Sequence, residues 1–291
     1  MDTTHPVARR LIINADDFGL TEGVNRAILD LNAADALPSA TLMATGPAFR
    51  DAVHAAFKQT ALGVGCHVVL VDGRPELHPD ELPTLAPSGS LRSSLNAFVV
   101  DLFAGRIESA EIEREAIAQI RQIQSAGITV THVDTHKHTH MFPRVLRPLM
   151  RAACACNVAA IRNPFEPEWS LRLTENAPSA RRLQVRTLRL FRRQFLRVVR
   201  AAGLRTTDGA LGVLATGTFD TAYVQRLLHK MPPGIWELVC HPGYVDDALA
   251  HAGTRLVMTR ETERLALLHA FQSQSLDRPR IKLLHYGELT G

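Results

Sequence analysis

Short apolar runs recur along the chain, and each is followed by a polar turn and then a stretch with helical spacing. The run LIIN (11–14) predicts a buried strand, ADDFGLT a loop, and residues 22–35 a helix with Thr21 as N-cap. SATLMA (39–44) and GVGCHVVL (63–70) predict the next two strands, with a helix over 47–58 between them. Residues 71–92 are rich in Pro, Gly, Ser and Asp and predict a long loop. In EIEREAIAQIRQIQSAG (111–127), Ile112, Ala116, Ile120 and Ile123 share one helical face, and Gly127 marks the stop. ITVTHVD (128–134) then predicts a strand, residues 143–157 a helix and VAAIR (158–162) a strand. Further strands are expected at 211–215, 236–242 and 281–286, with a helix over 259–272 between the last two.

Strands alternating with helices indicate an α/β fold with a parallel sheet and helices outside. The polar residues that stand out follow strands: Asp16, Asp17, His136, Asn163 and His241. In a βα barrel such positions converge on one mouth, whereas an open sheet gathers a site from only a few strands. The pattern therefore predicts a (β/α) barrel of six to eight parallel strands, formed as one domain over 1–291. No internal repeat, GxGxxG or P-loop motif is present.

Composition changes this picture little. A 46% hydrophobic content suits a globular core, and no apolar run approaches the ~20 residues that cross a bilayer. The N-terminal stretch has only a four-residue apolar run, which predicts no secretory signal. Cys66, Cys154, Cys156 and Cys240 form no CxxC pair, as expected of reduced thiols in a cytoplasmic protein. Charge changes it more. The formal net charge is +4, yet residues 176–207 hold nine arginines and no acid, which leaves the rest at about −5 (+4 minus nine).

Four places can carry chemistry. The adjacent acids of NADDFG (14–19) are costly to place after a buried strand unless their charge is used or they cap the next turn. Used together, one binds a cation and the other stays ionised as a base. Neighbouring strand residues point opposite ways, so both reach one site only if the chain turns, for which Phe18-Gly19 is a suitable place. His67 sits in a strand, where a histidine is more often a packed, hydrogen-bonded residue than a ligand. THVDTHKHTH (131–140) holds four of the thirteen histidines and Asp134. As one continuous strand it would put His132 and His140 ~26 Å apart, too far to share an ion. A strand ending near Asp134 places His136 at the mouth, with Asp134 and His132 as partners behind the ligands. His138 and His140 then line the site. Finally, CHPGY (240–244) puts His241 at a sharp turn after a strand, where it can act as a general acid or simply pack.

Together, LIINADDFGLTEGVNRAI, GVGCHVVL, THVDTHKHTHMFP and ELVCHPGYVDD resemble the YdjC-like carbohydrate deacetylase family, in order and spacing across nearly the whole chain. The resemblance implies a distorted (β/α) barrel of about seven parallel strands with the NodB/YdjC-like fold, a divalent metal and hydrolysis of an N-acetylated amino sugar. It implies Asp17, His67 and His136 as metal ligands, Asp16 as base and His241 as acid. Two imidazoles and a carboxylate suit zinc, iron, manganese or cobalt better than magnesium; zinc is the first expectation. Arg162, at a strand tip, and His138 are expected sugar contacts, although Arg162 can equally pair with Glu166. The Arg-rich insertion at about 168–207 and MPPGIWELVCHPGY resemble the hopanoid-biosynthesis branch, which implies an N-acetylglucosaminyl hopanoid as substrate. The alternatives are soluble chitooligosaccharides, a phosphoester cleaved with a second metal at His138 or His140, or a silent binding protein. Intact Asp16, Asp17 and His241 speak against the last.

In the basic segment Leu188, Phe191, Phe195, Val198, Val199 and Ala202 form one apolar helical stripe. That fits an outer barrel helix, and the lack of acid among its arginines also fits contact of residues 181–205 with anionic lipid at the inner face of the membrane. Nucleic acid is not an expected partner, because the segment has no Tyr or Trp and its two Phe lie on the apolar stripe. No feature sets an oligomeric state, and a dimer is compatible with the sequence.

Overall fold

The computed structural model describes residues 9–175, 177–272 and 281–289. The start of the N-terminal stretch read for a secretory signal, residues 1–8, lies outside the described residues. The strands are β1 (Arg9–Phe18), β2 (Ser39–Leu42), β3 (Gly63–Val68), β4 (Val133–Thr135), β5 (Gly209–Leu211), β6 (Gly234–Cys240) and β7 (Ile281–Leu283). All pair in parallel, in the order β4-β3-β2-β1-β6-β5, with β7 beside the first residues of β1. Between β4 and β5 the sheet is continued by two single bridges, Val133 with Ile161 and Ala160 with Arg205. The sheet thus curls into a distorted barrel.

The connections carry α1 (Glu22–Ala33), α2 (Phe49–Lys58), α3 (Leu95–Phe103), α4 (Ser109–Ser125), α5 (Pro143–Ala155), α6 (Glu168–Leu171), α7 (Ser179–Leu188), α8 (Arg192–Ala201), α9 (Thr221–Lys230), α10 (Asp247–His251) and α11 (Met258–Gln272). Among the described residues no helix is long and apolar enough to cross a membrane. Thr21 caps α1 as expected, accepting from the Val24 N–H at 3.2 Å.

Strand alternation divides the side chains into two sets. Leu11, Ile13 and Ala15 of β1, Ala40 and Leu42 of β2, and Cys66 and Val68 of β3 face outward into one core shared with the helices. The inward positions are polar: Asn14 and Asp16 hydrogen-bond with Ser39 and Thr41, and His67 with Asp134. Below them Ile12, Ala160, Leu284, Tyr286 and Leu289 form a small apolar plug. The barrel is closed by grease at one end and lined by charge toward the other.

Several boundaries differ from expectation. β1 does not end at Asn14 but runs through both acids, with its register broken between Ala15 and Phe18. Residues 158–162 make only single bridges, so the apolar run VAAIR crosses the distorted side of the barrel without a full ladder. The strand expected at 211–215 is β5, two residues earlier, because Gly212 turns away at φ 85°. β4 is short, although Thr131 and the His132 carbonyl already bond to the β3 chain. α3 was not anticipated; its mixed LNAFVVDLF pattern starts at the capping hydroxyl of Ser94.

α4 buries the expected Ile112, Ala116, Ile120 and Ile123, and also Glu111, Glu115 and Gln119. Glu111 accepts from the Thr84 and Leu85 N–H groups, Glu115 from those of Glu76 and Leu77, and Gln119 bonds both ways with Val69. These polar side chains supply the partners that the long loop after β3 lacks in its own backbone. The basic segment breaks into α7, a 3-10 turn over 189–191 and α8, with Phe195 and Val199 buried. Its arginines are not all free: Arg186 and Arg189 pair with Glu168 at 2.6 and 2.8 Å, and Arg182 caps the Leu171 and Thr174 carbonyls.

Candidate active site

The two acids of NADDFG reach one site by a break inside the strand. Asp17 has φ 65°, a left-handed conformation that Asp tolerates better than most residues. The alternation fails at that residue, and Asp16 and Asp17 both border the same group of side chains. The turn at Phe18-Gly19 follows, but it is not what brings the acids together. Gly19 continues with φ 91°, and its N–H donates to Asn25 at 2.7 Å.

Asp17, His67 and His136 come together at the strand ends. One ligand-type atom from each lies within 4.8 Å of the others. Asp17 Oδ1 is 3.5 Å from His67 Nε2 and 3.5 Å from His136 Nδ1, and the two imidazole nitrogens are 3.3 Å apart. A tetrahedron around an ion with bonds of about 2.1 Å has edges of about 3.4 Å. Asp17 Oδ1 is buried and has no hydrogen-bond partner among the described residues. His67 Nδ1 bonds to Asp134 at 2.7 Å, which aims Nε2 at the cluster. The buried acids Asp16, Asp17, Asp134 and Glu237 meet two buried guanidiniums, Arg162 and Arg260. Donor types, spacing, the orphaned oxygen and the surplus negative charge all fit a divalent cation.

Asp16 lies on the other side of this cluster. Its two oxygens accept from Arg162 Nη1 and Nη2 at 2.8 and 2.6 Å, and Oδ1 also accepts from Asn14 and Thr41. Burial is the largest influence and would raise its carboxyl, but Arg162, His67 and His241 together hold it well below the usual carboxylate range. Asp17 is likewise held low against burial, by Arg260 together with His136 and His67. His241 Nε2 stands 3.8 Å from Asp16 Oδ2. Its backbone N–H donates to Glu263 at 2.6 Å, so α11 fixes the turn that carries it.

Arg162 is a correction to the expected sugar contact. It is fully buried and spends its nitrogens on Asp16, Asp134 and Glu237, while Glu166 instead binds Ser170 and the Gly212 and Leu214 N–H groups. Arg162 is the anchor of Asp16. The same guanidinium fills the second cluster of ligand-type groups, Asp16, His67 and Asp134. His132 is also corrected: it stacks on Tyr286 at 3.9 Å in the barrel interior and bonds to Thr131, not to a ligand. Gly65 makes room for it, since a Cβ there would lie 2.4 Å from the imidazole. His138 has a buried Nδ1 without a partner, and burial and Arg162 push its imidazole down to about 3, so it is neutral. His140 turns away to Thr135 and Phe195.

Glu237, Tyr286, Arg260 and Glu263 were not singled out from sequence. Glu237 interrupts an apolar strand, and Arg260 and Glu263 fall on the buried stripe of α11 with Ala266, Leu267 and Ala270. A charge on an apolar stripe was the available signal. Glu237 bonds to Arg162 and to the Tyr286 hydroxyl, and burial lifts it to about 7 against the pull of Arg162. Folding therefore takes up a proton here, and stability falls as pH rises from about 4.5 to about 7, by about 3 kcal/mol in all. Glu237→Gln is expected to remove that part of the pH dependence. Urea midpoints at pH 5 and pH 8 check it, and an unchanged difference between them contradicts it.

Known proteins are similar to this chain in sequence and fold. A carbohydrate deacetylase from Brevibacillus brevis is 30% identical over 282 residues, covering 96% of this chain and 99% of its own. One from Geobacillus stearothermophilus is 30% identical over 281 residues, covering 96% and 98%. A crystal structure from Enterococcus faecalis V583, of a protein provisionally named for cellobiose-phosphate cleavage, superposes with a TM-score of 0.72 at 22% identity, covering 98% of this chain and all of that one. The profile of the YdjC-like protein family matches residues 10–278, and the chain belongs to that family.

Proposed function

We propose that this protein removes the N-acetyl group from an N-acetylated amino sugar by metal-dependent hydrolysis. The observation that carries this reading is the pairing of Asp16 and His241, 3.8 Å apart, beside the Asp17, His67 and His136 ligand set. The carbohydrate deacetylase names of the relatives support it. A divalent cation at that set, zinc before iron, manganese, cobalt or magnesium, would polarise the acetyl carbonyl and acidify water. Arg162 keeps Asp16 ionised, and Asp16 Oδ2, which accepts only from Arg162 Nη1 among the described residues, takes the proton of the attacking water. His241 gives a proton to the departing amine, which is otherwise a poor leaving group. His138, half-buried on the same turn as His136, is the expected contact for the sugar. Among the described residues His138 and His140 join no ligand cluster, so the reading keeps a single metal at Asp17, His67 and His136.

The finer reading is an N-acetylglucosaminyl hopanoid substrate, met by a peripheral cytoplasmic protein at the inner face of the membrane. In it the chain acts as one deacetylase domain, and the insertion at 168–207 serves access to the lipid. Leu183 and Leu190 support this, being 66% and 79% exposed in the same segment as the exposed Arg193, Arg197 and Arg200. The Phe191 ring also meets Phe142, which ends the turn bearing His136 and His138. Acetate release from N-acetylglucosaminyl lipids and, separately, from chitooligosaccharides tests the proposal. The expected result is release from the lipid that a chelator abolishes and zinc restores. Release from chitooligosaccharides alone overturns the lipid assignment, and release from neither overturns deacetylation of these sugars.

A further inference from the structure

Asp17 is gripped from behind. While Oδ1 faces the two imidazoles, Oδ2 accepts from Arg260 Nη2 at 2.5 Å. Arg260 is fully buried on α11; its Nε donates to the Leu256 carbonyl at 2.9 Å, and its Nη1 has no hydrogen-bond partner among the described residues. A buried guanidinium with an idle donor is a costly way to pack a helix. It is also an odd neighbour for a metal ligand, because its charge opposes that of the cation it stands behind. Maximal affinity would be better served by an apolar residue.

We propose that Arg260 is a positioning residue that limits Asp17 to one-oxygen ligation. By occupying Oδ2 it stops the carboxylate from swinging to chelate through both oxygens. The coordination position that chelation would fill stays open for water or the acyl oxygen. The proposal rests on the metal reading of Asp17, His67 and His136, and it goes beyond that reading by naming what controls the third ligand. It trades tightness of metal binding for an open face, as catalytic sites differ from closed structural ones.

The test is Arg260→Met, which keeps length and removes charge and donors, beside Arg260→Lys, which keeps one donor and the charge. Cobalt(II) affinity is measured by chelator competition, the visible cobalt spectrum is recorded, and acetate release is followed with the zinc-loaded protein. In Arg260→Met the affinity is expected to rise at least threefold, the spectrum to change and turnover to fall at least tenfold. Arg260→Lys should return all three toward wild type. A residue that merely supports the fold would lower affinity and turnover together, and that result overturns the proposal, as does no change in any readout. A wild-type protein that takes up no cobalt overturns the metal reading itself and this proposal with it.

Discussion

Asp16→Asn is expected to lower acetate release by about three orders of magnitude while leaving the bound metal in place. General-base assistance contributes about 10²–10⁴ in rate, and the amide has no basic lone pair to replace the carboxylate. The metal should stay because Asp17, His67 and His136 are untouched. The fold should survive because Arg162 keeps Asp134 as a counter-charge and Glu237 as a hydrogen-bond partner when Asp16 loses its charge. The low proton affinity of Asp16 does not argue against its role. Arg162 ensures that the carboxylate is ionised at any working pH, and Oδ2 stays on the His241 side as an acceptor. Acetate assays with metal analysis by mass spectrometry decide the matter. Activity within tenfold of wild type would remove Asp16 from the mechanism. Loss of metal in step with activity would exchange the roles of Asp16 and Asp17.

The strand tips were legible because polar residues directly after apolar runs have few reasons to be there. His136 and His241 stood out on that ground, and the resemblance across four motifs joined them to Asp17 and His67. The inner wall of the barrel was legible in principle. Ile12, Asn14 and Asp16 alternate with Leu11, Ile13 and Ala15, a period of two inside what reads as one apolar run. What spacing could not convey was a single dihedral: the left-handed φ of Asp17 overrides the alternation that should separate adjacent acids. Nor could it show that Arg162, at a strand end, looks inward once the distorted side of the barrel closes over it. Arg260 lies 243 residues from Asp17 in sequence and meets it only because α11 turns its buried, mostly apolar stripe toward the strand ends. Long-range charge pairs of this kind leave no periodic trace. They show only as a charge where a helix should be apolar.

His136→Ala is the complementary variant, and it is expected to lose the metal. Zinc sites with four protein ligands bind with about 10–16 kcal/mol, or about 3 kcal/mol per ligand, so one lost imidazole costs a factor of about 10²–10³ in affinity. His136 is also the ligand whose removal disturbs the protein least. Its side chain is 20% exposed, whereas those of His67 and Asp17 are 1% and 6% exposed. Truncating His67 would strand Asp134 and Thr41, both of which touch its Nδ1; truncating His136 strands only the cluster itself. The metal-free variant should therefore melt within a few degrees of metal-free wild type, while dialysed protein retains little metal and little activity. A large excess of zinc should restore part of the activity, because Asp17, His67, Asp16 and His241 remain in place. Full metal content after dialysis would show that His136 is not a ligand. The two variants must also separate: Asp16→Asn keeps metal without turnover, and His136→Ala regains turnover only as metal is forced back. Identical behaviour would mean that the base and the ligand set are not the distinct groups that the bulge at Asp17 places side by side.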